Sequence, residues 1–355
     1  MRWTKVAHDL CPMRLVKPFR RIAATGHPDR FGTASMSLSQ PLIDPDLDQL
    51  AATFARNAAK DPAAAVRAWQ DGLALLDAPM RSAAHRLAEA RLDWPARAAL
   101  NTTPAGAALL RQWAADRQQR PALPKLPFLS QRAAYQYCAS LVQQRGSRQA
   151  ANALRQGRLL VLALRRDTST LVNKGRGSYD DHIVVLNGWR RRGSIALFPG
   201  NTEPSAQYAH RAQLKTGKPI DDRYKGVAFK QAALVAGEDV NADGLKDAGR
   251  LRAGTYFFNE KPDGFLDARA FRSTENQTGE RDTNGDGRFQ LDDPARIDSK
   301  LVGRSMYIHW GGADNVPVVN TWSAGCQTIP KNHYGSFLSA VGRNPSFFYV
   351  LIDAQ

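Results

Sequence analysis

The chain has 355 residues, 43% hydrophobic and 23% charged, with a formal net charge of +16 and a pI near 10.1. Those values exclude a chain disordered along its whole length, and the length favours two domains over one small core. No apolar run approaches the roughly 18–20 residues that cross a bilayer, and a basic surface attracts polyanions without naming a reaction.

Residues 1–35 carry seven Lys/Arg and two Asp, +5 of the total, leaving +11 for the rest. They read as a basic, disordered leader, with Met36 as an alternative start. No secretory signal is visible, because an apolar h-region of roughly 7–15 residues is lacking. Residues 36–150 are expected to form a helical domain rich in Ala, Leu, Arg and Gln. Asp61-Pro62 supplies an N-cap and a proline for the first helical position. Trp69, Leu73, Leu76 and Met80 have the spacing of one helical face. The three prolines of Arg120–Phe128 read as a linker or extended strap. A further helix is expected over 129–156, with Cys138 on its apolar side.

After Gly157 the texture changes. "RLLVLALRRD", "DHIVVLNGW", "SIALFPGN", "GTYFFNE", "SMYIHWGG" and "FFYVLIDA" are short runs rich in β-branched and aromatic residues, separated by Gly, Asn and Asp. Residues 151–355 should therefore be mostly β, a sandwich or partly closed barrel, and the fold class α+β.

Cys11, Cys138 and Cys326 form neither a disulfide framework nor a CxxC metal pair. A free thiol is commonly a small core residue, and that reading stands for Cys138. Cys326 is different in its setting. Ala324 and Gly325 leave room for a substrate carbonyl, and glycine permits dihedrals that aim successive amides at one point. His309 closes a strand in "YIHWGG" and is a candidate base for the thiol. His333 competes for that role, His182 reads as a structural strand-end residue, and Tyr179, Asp180 and Asp181 could line the cleft. The polar turn Asn201–Ser205, with Thr202, is either a binding loop or plain turn chemistry.

"H-W-G-G" followed by "S-A-G-C-Q" resembles the signature of the L,D-transpeptidase catalytic domain (YkuD-like), a His and then Ser/Thr-His-Gly-Cys. "YDDHIVVL" and "GTYFF" resemble that family's strands, so the likeness covers roughly residues 158–355. It implies that Cys326 attacks a peptide carbonyl of a murein tetrapeptide stem while His309 carries the proton. The carbonyl of Trp310 or Gly311 would orient the imidazole, and the amides of Gly325 and Cys326 would bind the oxyanion. Ser323 would hold the loop or touch substrate, and Tyr179, Asp181, Thr202 and Gln327 are the expected substrate contacts. Two positions depart from the pattern: Ala324 replaces the second His, and Thr328 replaces the usual basic or amide residue.

"DTNGDGRFQLDD" places Asp282, Asn284, Asp286, Arg288 and Asp293 at positions 1, 3, 5, 7 and 12 of a calcium loop, with Gly287 at the turn. Asp stands where a bidentate Glu is usual. "DVNADGLKD" repeats the pattern with Asp239, Asn241, Asp243 and Asp247, but its twelfth position is Arg250. The alternative is an Asx-rich turn held by its own backbone bonds.

The leading expectation is a cysteine acyltransferase or L,D-carboxypeptidase that needs no catalytic cofactor and has structural calcium. Its partners would be peptidoglycan stems, a secretion-machine component or an immunity protein. It would act in the periplasm or cell wall as a secreted antibacterial effector, with no nucleic acid and no transmembrane segment. The rival is a calcium-dependent wall-binding protein whose thiol is inert.

Overall fold

The structure is a computed structural model describing residues 46–123, 130–188, 193–230 and 235–355. The expected leader, Cys11, Met36 and residues 124–129 of the strap lie outside the described residues.

Asp44–Gln355 form one compact unit. Its first part is helical: α1 (Leu47–Ala58), α2 (Pro62–Ala74), α3 (Ala78–Arg91), α4 (Trp94–Asn101), α5 (Pro104–Gln118), α6 (Gln131–Arg145) and α7 (Arg148–Arg155). Each follows a residue whose side chain accepts a first-turn amide: Asp46, Asp61, Asp77, Asp93, Thr103, Ser130 and Ser147. Such caps satisfy donors the first turn leaves unpaired, at about 1 kcal/mol each. Pro62, Pro79, Pro95 and Pro104 sit in first turns, where no intrahelical amide is lost.

These caps correct two expectations. Trp69 and Leu73 lie on α2, Met80 on α3 and Leu76 between them, so the regular spacing spans a helix break. The helix expected over 129–156 is two helices, separated at Gly146–Ser147.

The strands follow: β1 (Leu160–Arg166), then the short turn α8 (Val172–Gly175), β2 (Asp181–Asn187) and β3 (Ser194–Gly200). Next come β4 (Leu214–Lys215), β5 (Lys218–Pro219), β6 (Ala248–Leu251), β7 (Gly254–Glu260), β8 (Phe271–Ser273), β9 (Gly279–Asp282) and β10 (Ile297–Asp298). The chain ends with β11 (Ile308–Trp310), β12 (Gln327–Ile329), α9 (Lys331–Val341) and β13 (Ser346–Ala354). Each of the six segments expected as strands contains one. Helix α9 and the short strands β4–β6, β8–β10 and β12 are additions.

Eight strands form one mixed sheet in the order β12-β11-β8-β7-β13-β1-β2-β3. Just past β3, Asn201 exchanges two backbone hydrogen bonds with Thr328 of β12, each 2.8 Å. The two ends of the sheet therefore meet. Of the expected sandwich or partly closed barrel, the structure has the second in outline: a single curled, nearly closed sheet. A second sheet, β10-β9-β6, stands beside it.

Strand β1 is buried on both faces. Leu160, Leu162 and Leu164 share a core with the helices, while Val161 and Ala163 join Phe258, Phe271, Phe347 and Phe337 of α9. Alternation of side chains across one strand serves both cores, which explains the unbroken "LLVLAL" run. The helical layer closes one face of the sheet. Among the described residues no helix is long and apolar enough to cross a membrane.

Candidate active site

Strands β11 and β12 run parallel, with Ile308 opposite Gln327 and His309 opposite Thr328. Cys326 immediately precedes β12, against the backbone just before β11. The Tyr307 amide donates to Cys326 Sγ at 3.4 Å, and the Gln327 amide donates to the Tyr307 carbonyl at 2.7 Å. Phe265 packs edge-on against both Tyr307 and His309, with ring centroids 5.3 and 4.8 Å away. His309 pairs with Thr328, two residues after Cys326, and the Cys326 thiol donates to the Ser305 carbonyl at 3.7 Å.

Cys326 is half-buried, and His309 is only 1% exposed. His309 Nδ1 lies 2.7 Å from the carbonyl oxygen of Trp310. A carbonyl only accepts, so Nδ1 carries the proton and Nε2 holds the lone pair. Burial pushes the imidazole down to about 4, against the pull of that carbonyl. The ring is therefore neutral near pH 7 and able to take a proton. Cys138, by contrast, is fully buried on α6, and burial pushes its thiol up to about 12.

The loop before Cys326 is held by Ser323, whose hydroxyl donates to the Cys326 carbonyl at 2.7 Å and accepts the Gly325 amide at 3.1 Å. In this structure the Gly325 amide is committed to Ser323 rather than aimed at a substrate oxygen. Gly325 has φ +127°, and a Cβ there would sit 2.5 Å from the carbonyl oxygen of Gly249 in β6. The small sheet thus buttresses the thiol loop, and only glycine fits. At Gly311 the constraint is steric alone: a Cβ would collide with the Tyr179 hydroxyl and the Thr321 carbonyl.

The four expected substrate contacts have partners within the protein. Tyr179 donates to the Gly312 carbonyl at 2.7 Å, fastening the chain after β11. Asp181 is 1% exposed and accepts from Thr202 N, Thr202 Oγ1 and Arg166 N at 2.8, 2.7 and 2.6 Å. Burial, with Asp180 and Glu203 nearby, pushes its carboxyl up to about 8. Gln327 is buried, donating to the Gly325 carbonyl and accepting from Tyr349. All four brace the walls of the site. His333, on α9, pairs its Nε2 with Asp314 at 3.1 Å, and His182 lies within β2 opposite Leu164. Phe265, Tyr307 and Gly249, none singled out in the sequence, complete the surroundings. They come from separate stretches, and no local pattern marks them.

The acidic loops flank the β6–β9 ladder, in which Ala248 pairs with Asp282. In the first, Asp282 accepts the amides of Asp286 and Gly287, Asn284 accepts Asp286, and Asp286 accepts Arg288. Asp293 closes the loop on the amides of Asn284 and Gln290. The second loop repeats this wiring with Asp239, Asn241 and Asp243, and Asp247 accepts the Val240 amide. Arg250, at its twelfth position, is buried and bonds Glu203 and Glu280 at 2.7 Å each. Among the described residues no three His, Cys, Asp or Glu side chains gather as metal ligands. Each carboxylate oxygen has two lone pairs, so the amide bonds leave acceptor capacity for a cation.

Comparison of the chain with protein-family models, curated proteins and solved structures gave no match. The likeness to L,D-transpeptidases rests on the residues themselves.

Proposed function

We propose that this protein is a cysteine acyltransferase acting on peptidoglycan tetrapeptide stems. The observation that supports it is the pairing of strand β11, carrying a buried His309 with its Nε2 left basic, with the chain bearing a half-buried Cys326. In this reading Cys326 Sγ bonds to the carbonyl carbon between diaminopimelate and terminal D-alanine. His309 Nε2 takes the thiol proton and delivers it to the leaving amine as the C–N bond breaks. The thioester then passes its acyl group to an amine or D-amino acid, or to water, and the thiol is restored.

The site would work in the periplasm or cell wall. Delivery by a specialised secretion system, with a machine component and an immunity protein as partners, fits an antibacterial effector. Calcium belongs to the same reading as a structural ion held by Asp282, Asn284, Asp286, the Arg288 carbonyl and Asp293. Asp239, Asn241, Asp243 and Asp247 would form a weaker second site.

The test is mass spectrometry of tetrapeptide muropeptides incubated with the protein and with Cys326→Ala, each with and without a D-amino acid. Loss or exchange of terminal D-alanine only with the intact thiol is expected. Unchanged muropeptides with folded, calcium-supplied protein would overturn the proposal and favour a binding module.

A further inference from the structure

The helical layer contains a buried cation that makes no ion pair among the described residues. Arg86 of α3 is 8% exposed. Its Nε and Nη1 donate to the hydroxyls of Ser140 and Ser82 at 2.8 and 2.6 Å, and its guanidinium lies 4.8 Å from the Tyr137 ring centroid. Nη2 has no partner, and Arg86 makes no ion pair among the described residues. Arg145 of α6 is partly exposed, but its Nε is buried and unpaired among the described residues while Nη2 donates to the Gln119 carbonyl. A guanidinium away from water is costly unless a negative charge accompanies it.

Both arginines border one cavity of about 430 Å³, together with His85 and Trp113. That volume is within the rough 300–1,000 Å³ range of small-molecule pockets. The Trp113 indole donates to His85 Nδ1 at 2.6 Å. Burial, with Arg86 and Arg81, pushes that imidazole down to about 4, so His85 is neutral near pH 7 and adds no counter-charge. The carboxylate of Glu89 is already paired with Arg117 at 3.2 Å. Asp116 is exposed and forms no ion pair among the described residues, though from the same cavity wall its charge offsets a part of the cost of burying Arg86.

We infer that this cavity binds a small organic carboxylate, its charged end beside Arg86 and Arg145 and its apolar part against Trp113. The planar guanidinium fork matches a carboxylate. Two acidic residues in the wall disfavour a multiply charged phosphate, and the indole offers an apolar surface that an inorganic ion cannot use. The inference is independent of Cys326 and concerns a different region of the fold.

The test is isothermal titration calorimetry on the full chain with the monocarboxylates phenylacetate and hexanoate, using inorganic phosphate at matched ionic strength as comparison. Saturable binding of a carboxylate is expected, weakened at least tenfold in Arg86→Met and in Arg145→Gln. Without ligand, Arg86→Met is expected to melt no lower than the parent, because it removes an uncompensated charge. Should that variant fail to fold, Arg145→Gln, at a partly exposed position, decides alone. No saturable carboxylate binding, affinity unchanged by Arg145→Gln, or a preference for phosphate would each overturn the inference.

Discussion

His309 and Trp310 are joined by a hydrogen bond within one strand, from imidazole Nδ1 to the next residue's carbonyl, that leaves Nε2 basic. Burial lowers the ring's pKa from 6.5 to about 4. If His309 is the base, the acid limb of kcat/KM attributable to it should fall near pH 4 rather than 6.5. The same shift affects stability. Between those two values the unfolded chain binds the extra proton, so this group's contribution is full above 6.5 and is lost as pH falls towards 4. His309→Ala should cost roughly 10²–10⁴ in kcat/KM. A pH–rate profile checks the assignment, and an unchanged profile in the variant would sink it.

The two described cysteines should differ sharply in reactivity. Cys326 is half-buried, whereas Cys138 is fully buried with its thiol pushed up to about 12. The thiolate is the reacting species. Iodoacetamide at neutral pH should therefore modify Cys326 in the folded protein and reach Cys138 only after denaturation. Peptide mapping reads both sites, and protection of Cys326 would revive the inert-thiol reading.

Gly325→Ala should damage the site through its backbone. The new Cβ would stand 2.5 Å from the Gly249 carbonyl oxygen at φ +127°, a conformation costing about 1–3 kcal/mol for a non-glycine residue. Displacement of the thiol should lower activity further, by about 10²-fold. Gly335→Ala is the control: it lies within α9 with nothing near its added methyl. That change should stabilise by about 0.5–1 kcal/mol. Urea unfolding of both variants tests the contrast.

Calcium should raise the melting temperature, and a chelator should reverse the rise. Burial, together with Asp286 and Asp293, pushes the Asp282 carboxyl up to about 7. A ligand must be ionised, so calcium affinity should strengthen as pH climbs through 7. Asp286→Ala should remove most of the response. A melting temperature indifferent to both calcium and chelator would leave the loops as Asx turns without metal.

Unfolding should be a single transition for Asp44–Gln355. One core contains Trp69, Leu87 and Leu141 of the helices together with Leu160, Leu162, Val184 and Val350 of the sheet. Removing the helices would expose an apolar sheet face, so a fragment beginning at β1 is expected to be insoluble. Calorimetry of the whole chain showing two well-separated transitions would contradict this.

The strands were legible because β-branched and aromatic runs between Gly and Asn clusters are local signals. Cys326 and His309 stand out locally because small residues flank them. Asp77-Ala-Pro79, Asp93-Trp-Pro95 and Thr103-Pro104 carry the same cap-and-proline signal as Asp61-Pro62, but only the last was read from the sequence, and a regular apolar spacing obscured the break at the first. What one segment could not reveal was pairing. Gln327 and Thr202 have side chains suited to substrate, and only the fold turns them onto Tyr349 and Asp181. Short strands such as β8, β11 and β12 hold three residues each. They exist because neighbours complete them, which no local period records.

The bridge between Asn201 and Thr328 spans much of the chain. Around it the thiol loop leans on Gly249, His309 packs against Phe265, and the Ser205 amide bonds the Ser323 carbonyl. Such distant contacts form late, after the loops between them have paid their closure entropy. The geometry around Cys326 is therefore a property of the completed chain. A nascent or half-folded molecule carries the same thiol without the surroundings that would make it a tool.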